Sequence, residues 1–210
     1  MSDTLKLKGA LYPMVTPAGA YYAVSSQEQD AARMLLTQIL RVGHSVPLTE
    51  ELLAEWSGDE AEKGLQTLYR LQRLDFVNGT EQPRPAPRAN LESQLPELLS
   101  NLSDTQHALL ADDNGLYYAT AGFLHESAEE IAALAGDIIS LSRRHTLLLK
   151  QNLNLTSTSW AISNPAGHSE LAFYPLHVGQ QSFVLVVGGT PQLQDHHFVT
   201  LVELLTRRYA

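Results

Sequence analysis

The stretch Ser127–Asn152, SAEEIAALAGDIISLSRRHTLLLKQN, decides the fold. It opens with a Ser-x-x-Glu capping box, in which hydroxyl and carboxylate each satisfy an amide of the first turn, so a helix is expected to begin at Ser127. At about 100° per residue, Ile131, Leu134, Ile138, Leu141, His145 and Leu148 fall on one stripe, which is the period of a helix and not of a strand. Beside it runs a second stripe of mostly small residues: Ala128, Ala132, Ala135, Ile139, Ser142 and Thr146. One face can cover a sheet while the other admits a close neighbour.

Toward the C-terminus come three strand candidates, Leu155–Ser163, Glu170–Val178 and Ser182–Val187, separated by Asn164-Pro165-Ala166-Gly167 and Gly179-Gln180. Gly188-Gly189-Thr190-Pro191 ends the last strand, and Asp195 can cap a final helix carrying Phe198, Leu201, Val202 and Leu205. Toward the N-terminus, Leu91–Leu102 has a helical apolar period, with Pro96 tolerated only if it lies near the first turn. His107–Asp112 and Leu116–Thr120 are joined through Asp113-Asn114-Gly115. Asn-Gly between two apolar runs predicts a type I′ hairpin, which needs positive φ at both residues. The expected order is α-β-β-α-β-β-β-α, an α+β domain with an antiparallel sheet.

That order, together with Ala108-Leu109-Leu110-Ala111-Asp112-Asp113-Asn114-Gly115-Leu116, Ala132-Ala133-Leu134-Ala135 and Phe183-Val184-Leu185-Val186-Val187, resembles the roadblock family. The family is named for dynein light chains and also occurs in bacteria, with small Ras-like GTPases as partners. The resemblance covers residues 91–210 and implies a homodimer in which sheets pair edge to edge and central helices meet. It would place Ala128, Ala132, Ala135, Ile139 and Ser142 at the dimer interface, with Leu155–Ile162 as the pairing strand, including Thr158 and Trp160. The competing reading packs the small stripe under the protein's own terminal helices. The resemblance further implies a scaffold or regulator of a small GTPase without catalytic machinery of its own. Glu129, Arg143 and Arg144, on the exposed side of the central helix, are partner-binding candidates only by position; an ordinary solvated helix face is the simpler account of them.

The first part of the chain reads differently. Residues 1–24, with Leu11–Val15 and Tyr21–Val24 around Pro17-Ala18-Gly19, suggest two short β segments, the first confined to an edge by Pro13. From Ser26-Gln27-Glu28-Gln29, a capping sequence, the period becomes helical through Leu35, Leu36, Ile39 and Leu40 and ends at Gly43. A second helix runs from Pro47 or Thr49 to Trp56, and a third from Asp59 to Leu74. Asp75–Thr80 is a short strand entering a turn. Three helices and a strand over residues 25–82 resemble a winged-helix or helix-turn-helix domain. Lys63, Gln66, Arg70 and Arg73 lie within about 80° of one another on the third helix, where a DNA-reading helix would carry its contacts. Asp59, Glu60 and Glu62 crowd the same region, and a solvated surface helix shows the same charge pattern. The alternating prolines of 83–90, Pro83-Arg84-Pro85-Ala86-Pro87-Arg88, mark an extended linker.

Composition narrows the function classes. Of the chain's 14 basic and 23 acidic residues, 7 and 10 fall in residues 25–90 but only 5 and 12 in residues 91–210. A net charge of −7 in the second part argues against non-specific nucleic-acid binding there, since phosphate contacts need clustered cations. No cysteine is present, which excludes disulfides, thiolate metal sites and cysteine nucleophiles. The sequence holds neither a membrane-length apolar run nor a cleavable signal, so a cytoplasmic protein is expected.

No phosphate-binding Gly-x-x-x-x-Gly-Lys-Ser/Thr loop and no Gly-x-Ser-x-Gly elbow occurs. Gly167-His168-Ser169-Glu170 reads as a hairpin turn, not a triad. His196-His197 is a poor chelate, because neighbouring helical side chains diverge, and His145 reads as a packed histidine. Asp112-Asp113-Asn114 is too short a loop for calcium and is explained by turn chemistry. No catalytic residue, metal or cofactor is therefore expected. The first reading is a dimeric regulator or adaptor whose partner is a small GTPase. The alternative is a transcription regulator with a DNA-binding helical half and a roadblock dimerisation or sensing half; a small-molecule sensor ranks third.

Overall fold

The structure, a computed structural model, describes residues 5–9, 11–43, 45–58, 60–84 and 90–210. Contacts group the chain into two compact units, Met1–Arg88 with Phe198–Ala210, and Ala89–His197. The final helix, assigned from sequence to the second half, thus groups mostly with the first. Most of the proline linker, from Pro85 to Ala89, lies outside the described residues.

The first unit contains β1 (Tyr12–Val15), α1 (Pro17–Val24), α2 (Ala31–Val42), α3 (Glu50–Ser57), α4 (Ala61–Arg73) and β2 (Val77–Thr80). β1 and β2 pair antiparallel, Tyr12 opposite Thr80 and Val15 opposite Val77. The second β segment expected at Tyr21–Val24 is instead part of α1. Thr16-Pro17 explains why: the threonine hydroxyl accepts from the Gly19 amide at 3.1 Å and the proline occupies the first helical position. α2 starts later than the Ser26 sequence predicted, at Ala31, because Asp30 is the cap that bonds the Arg33 amide, at 2.8 Å. Gly43 ends α2 at φ +76°, as expected, and Thr49, one of the two expected starts of the next helix, caps α3. Leu35, Leu36, Ile39, Leu53 and Leu71 form the buried centre of the unit.

The second unit contains α5 (Leu91–Asn101), β3 (Ala108–Asp112), β4 (Tyr117–Ala121), α6 (His125–Arg144), β5 (Trp160–Ser163), β6 (Ser169–Val178) and β7 (Gln181–Gly188). Its strands form one antiparallel sheet in the order β4-β3-β7-β6-β5, a mixed helix and sheet architecture as the sequence predicted. Pro96 lies sixth in α5, deeper than the expected first turn. α7 (His196–Tyr209) begins at Asp195, whose carboxylate accepts from the His197 amide at 2.8 Å.

The β3–β4 turn forms where predicted but in a different geometry. Gly115 has φ +85°, whereas Asn114 is absent from the positive-φ residues, so the turn is not type I′. The Asp112 carboxylate takes over, accepting from the amides of Asn114 and Leu116, each at 2.9 Å. α6 begins two residues ahead of the predicted cap, with Leu124 at the N-cap position and no side-chain cap bond. A π-helical turn, Leu147–Asn152, follows it, with the Leu153 amide bonded to the Leu148 carbonyl. β5 starts only at Trp160, and residues 155–159, which the sequence reading gave to the same strand, form no regular structure, so β5 is shorter than expected.

Candidate functional site

The two stripes of α6 divide the surface of the second unit. Ala128, Ala132 and Ala135 are fully buried, and with Ile139 they pack on Leu109, Ala111, Phe173, Val184 and Val186 of the sheet. Small side chains here let the helix come close: a Cβ added at Gly136 would stand 3.2 Å from the Gly115 amide nitrogen, in the β3–β4 turn. The expectation that Ala128, Ala132, Ala135 and Ile139 meet a second copy is therefore corrected. They cover the chain's own sheet.

Ser142 and Trp160, expected at the same interface, are brought together within one chain. The indole Nε1 donates to Ser142 Oγ at 2.7 Å, and that hydroxyl donates to the Ile138 carbonyl at 2.9 Å. Thr158 is half-buried and precedes β5.

The larger stripe is the one turned outward. Ile131 and Ile138 edge the core, whereas Leu134 is 41% and Leu148 44% exposed, with Leu141 half-buried between them. The chain leaving α6 adds Leu147, Leu153 and Leu155, each at least half exposed. β5 is an edge of the sheet, paired only with β6, and Ile162 on it is also half exposed. An edge strand offers unpaired backbone groups, and a run of exposed leucines offers apolar area. The sequence contained this signal in the spacing of Leu134, Leu141 and Leu148. What it lacked was any indication that the alanine stripe satisfies the sheet by itself.

The charged candidates are distributed around this helix. Glu129 is exposed, 3.5 Å from His125 Nε2, and the Tyr117 hydroxyl lies against His125 Nδ1. Arg143 bonds Asp113 of the β3–β4 turn at 2.7 Å, and Arg144 is exposed. Beneath the C-terminal end of α6, His177 Nδ1 lies 3.0 Å from Ser182 Oγ. Burial lowers the pKa of His177 from its ordinary value, the charges of Arg143 and Lys150 lower it further, and Asp113 opposes them. Sequence reasoning did not single out this group, whose members come from five separate segments.

At the start of α7, Asp195 Oδ1 lies 3.0 Å from His196 Nδ1 and 2.5 Å from His197 Nδ1. The adjacent histidines thus converge through Nδ1 on a shared carboxylate, where the helical wheel had them diverge. The His197 amide is the main cause holding the Asp195 carboxyl below the usual range, and helix capping accounts for the arrangement. In the first unit, Lys63, Gln66, Arg70 and Arg73 are all exposed on α4.

No family model matches the chain, and neither does any curated protein. Among solved structures it is similar to a Roadblock/LC7 domain from Streptomyces avermitilis, at 18% identity and a TM-score of 0.39, over 55% of this chain and 93% of that one. It is also similar to Myxococcus xanthus MglB, at 16% identity and a TM-score of 0.37, over 56% of this chain and 93% of that one. Among the described residues no helix is long and apolar enough to cross a membrane.

Proposed function

We propose that the chain is a non-enzymatic regulator or adaptor that forms a homodimer through the outward face of α6 and the β5 edge, and binds a protein partner of the small Ras-like GTPase kind. The observation that carries the dimer is an open sheet edge in the same unit as exposed Leu134 on α6 and exposed Leu148 in the turn that follows it. A second copy satisfies both at once, because an edge strand pairs with its own symmetry mate around a two-fold axis. The GTPase rests on the resemblance of residues 91–210 to roadblock domains. Glu129, Arg143 and Arg144 flank the proposed dimer face and are the side chains we assign to the partner.

The test separates the two steps. Light scattering on the full chain gives the mass; Leu134→Glu with Ile162→Lys, both exposed, should halve it while far-UV circular dichroism shows an unchanged folded secondary structure. A parent that is monomeric at micromolar concentration overturns the dimer. Nuclease-treated host lysate, with GTP or GDP added, is then passed over the immobilised chain. Retention of a GTPase in one nucleotide state supports the adaptor reading, and retention of none removes it.

The DNA reading keeps one specific support, the shared exposure of Lys63, Gln66, Arg70 and Arg73 on α4. Salt-dependent duplex binding, lost on substituting Lys63, Arg70 and Arg73 by alanine, would establish it.

A further inference from the structure

We propose that the first unit binds a small aromatic or branched aliphatic carboxylate, in a cavity roofed by the segment Leu5–Gly9. This inference is independent of the adaptor reading. The cavity has a volume of about 140 Å³, and its apolar wall includes Leu11, Leu48, Leu65, Leu68 and Val77. Its volume is close to the roughly 150 Å³ that accommodates benzene, so it has room for a single six-membered ring.

The roof explains both access and charge preference. Leu5 and Leu7 are half-buried and alternate with exposed Lys6 and Lys8, so the leucines close the cavity while the lysines stand at its rim. The segment forms no strand ladder with its neighbours, and it ends at Gly9, whose φ of +61° and open surroundings allow it to act as a hinge. Among the described residues of the lining, Lys6 and Lys8 are the charged side chains and there is no carboxylate, although the chain as a whole carries a net charge of −9. A cationic rim over an apolar floor selects a ligand with an apolar body and an anionic head. Gln72 and Asn78 add hydrogen-bonding groups to the same lining.

Benzoate and neutral benzene are the probes, titrated into the full chain labelled at leucine methyls and followed by NMR. Benzoate should shift the methyls of Leu48, Leu65 and Leu68 saturably, with Kd on the order of 1 mM. Leu65→Trp, which fills the cavity, should raise the Kd for both probes at least about tenfold. Lys6→Ala with Lys8→Ala changes only exposed side chains; it should weaken benzoate by about tenfold and leave benzene unchanged. The proposal is overturned if neither probe produces a saturable shift, or if benzoate binding is insensitive to both variants. Benzene binding without any preference for benzoate in the parent chain overturns the carboxylate chemistry.

Discussion

Replacing Gly19 by alanine should destabilise the first unit by about 2–4 kcal/mol, opposite in sign to what helix propensity dictates. Gly19 is the third residue of α1, and in a helix alanine is favoured over glycine by roughly 0.5–1 kcal/mol. Its Cβ, however, would stand 2.2 Å from the Phe76 carbonyl oxygen, 2.9 Å from the carbonyl carbon and 3.0 Å from the Phe76 Cα. These are backbone atoms and cannot swing aside as the end of a side chain could, so α1 must retreat by about 1 Å to restore ordinary contact. Two bonds hold α1 where it is: the Thr16 amide donates to the Phe76 carbonyl at 3.0 Å, and Thr16 Oγ1 donates to the Asp75 carbonyl at 2.6 Å. Each contributes about 0.5–1.5 kcal/mol, and a part-buried group left unpaired costs about 1–3 kcal/mol more, which outweighs the propensity gain. Urea unfolding in a Trp160→Phe background, where Trp56 in the first unit is the reporting indole, reads the change directly. At ordinary urea sensitivity the midpoint should fall by about 1–2 M. An unchanged or raised midpoint would refute the argument, since it would mean that the close approach of α1 to Phe76 does not exist.

Two further outcomes concern the second unit. His177 has its pKa depressed in the folded chain, so it takes up a proton more readily unfolded than folded, and protonation opposes folding. Stability should be flat above the ordinary value of 6.5 and decline as pH falls below it toward the lower folded pKa, while His177→Gln removes that part of the decline; a parent and a variant with identical slopes below pH 6.5 would sink the assignment. Ser142→Ala deprives the Trp160 indole of its acceptor and should cost about 1 kcal/mol, with a shift in Trp160 emission measured in a Trp56→Phe background.

How much was legible follows from where each signal resides. Gly43, Thr49, Asp195 and the Asn164–Gly167 turn were readable because each satisfies backbone groups within a few residues of itself. The Ser26 and Ser127 caps failed for a related reason. A capping box is only one of several local solutions, and Asp30, or the turn into His125, supplied another. Thr16-Pro17 carried a helix-start signal as good as either, but the aromatic Tyr21-Tyr22 drew the reading toward a strand, since β propensity mostly reflects a half-buried surface and not a backbone preference. The Asn-Gly turn formed because a tight reversal was required there, yet its geometry was set by the Asp112 carboxylate, which can hold two amides without positive φ at Asn114.

The most consequential misreading concerned the faces of α6, and its cause is general. Small residues on a helix mean that something comes close, and a sequence does not say whether that is the chain's own sheet or another molecule. Here Gly115 and Gly136 settle the matter: each lies where an added Cβ would press on the other's segment, so the helix is seated on the β3–β4 turn and its alanines are consumed by the contact. What remains for a partner is the face that cannot be satisfied internally. Leu134, Leu141 and Leu148 are too large and too regular for a wholly solvated face, and the open β5 edge lies in the same unit. The dimer inferred first from small residues thus rests on better grounds when moved to the large ones. Its consequence is sharp, because charge at Leu134 and Ile162 should separate two folded monomers, whereas a larger side chain at Ala132 should damage the fold itself.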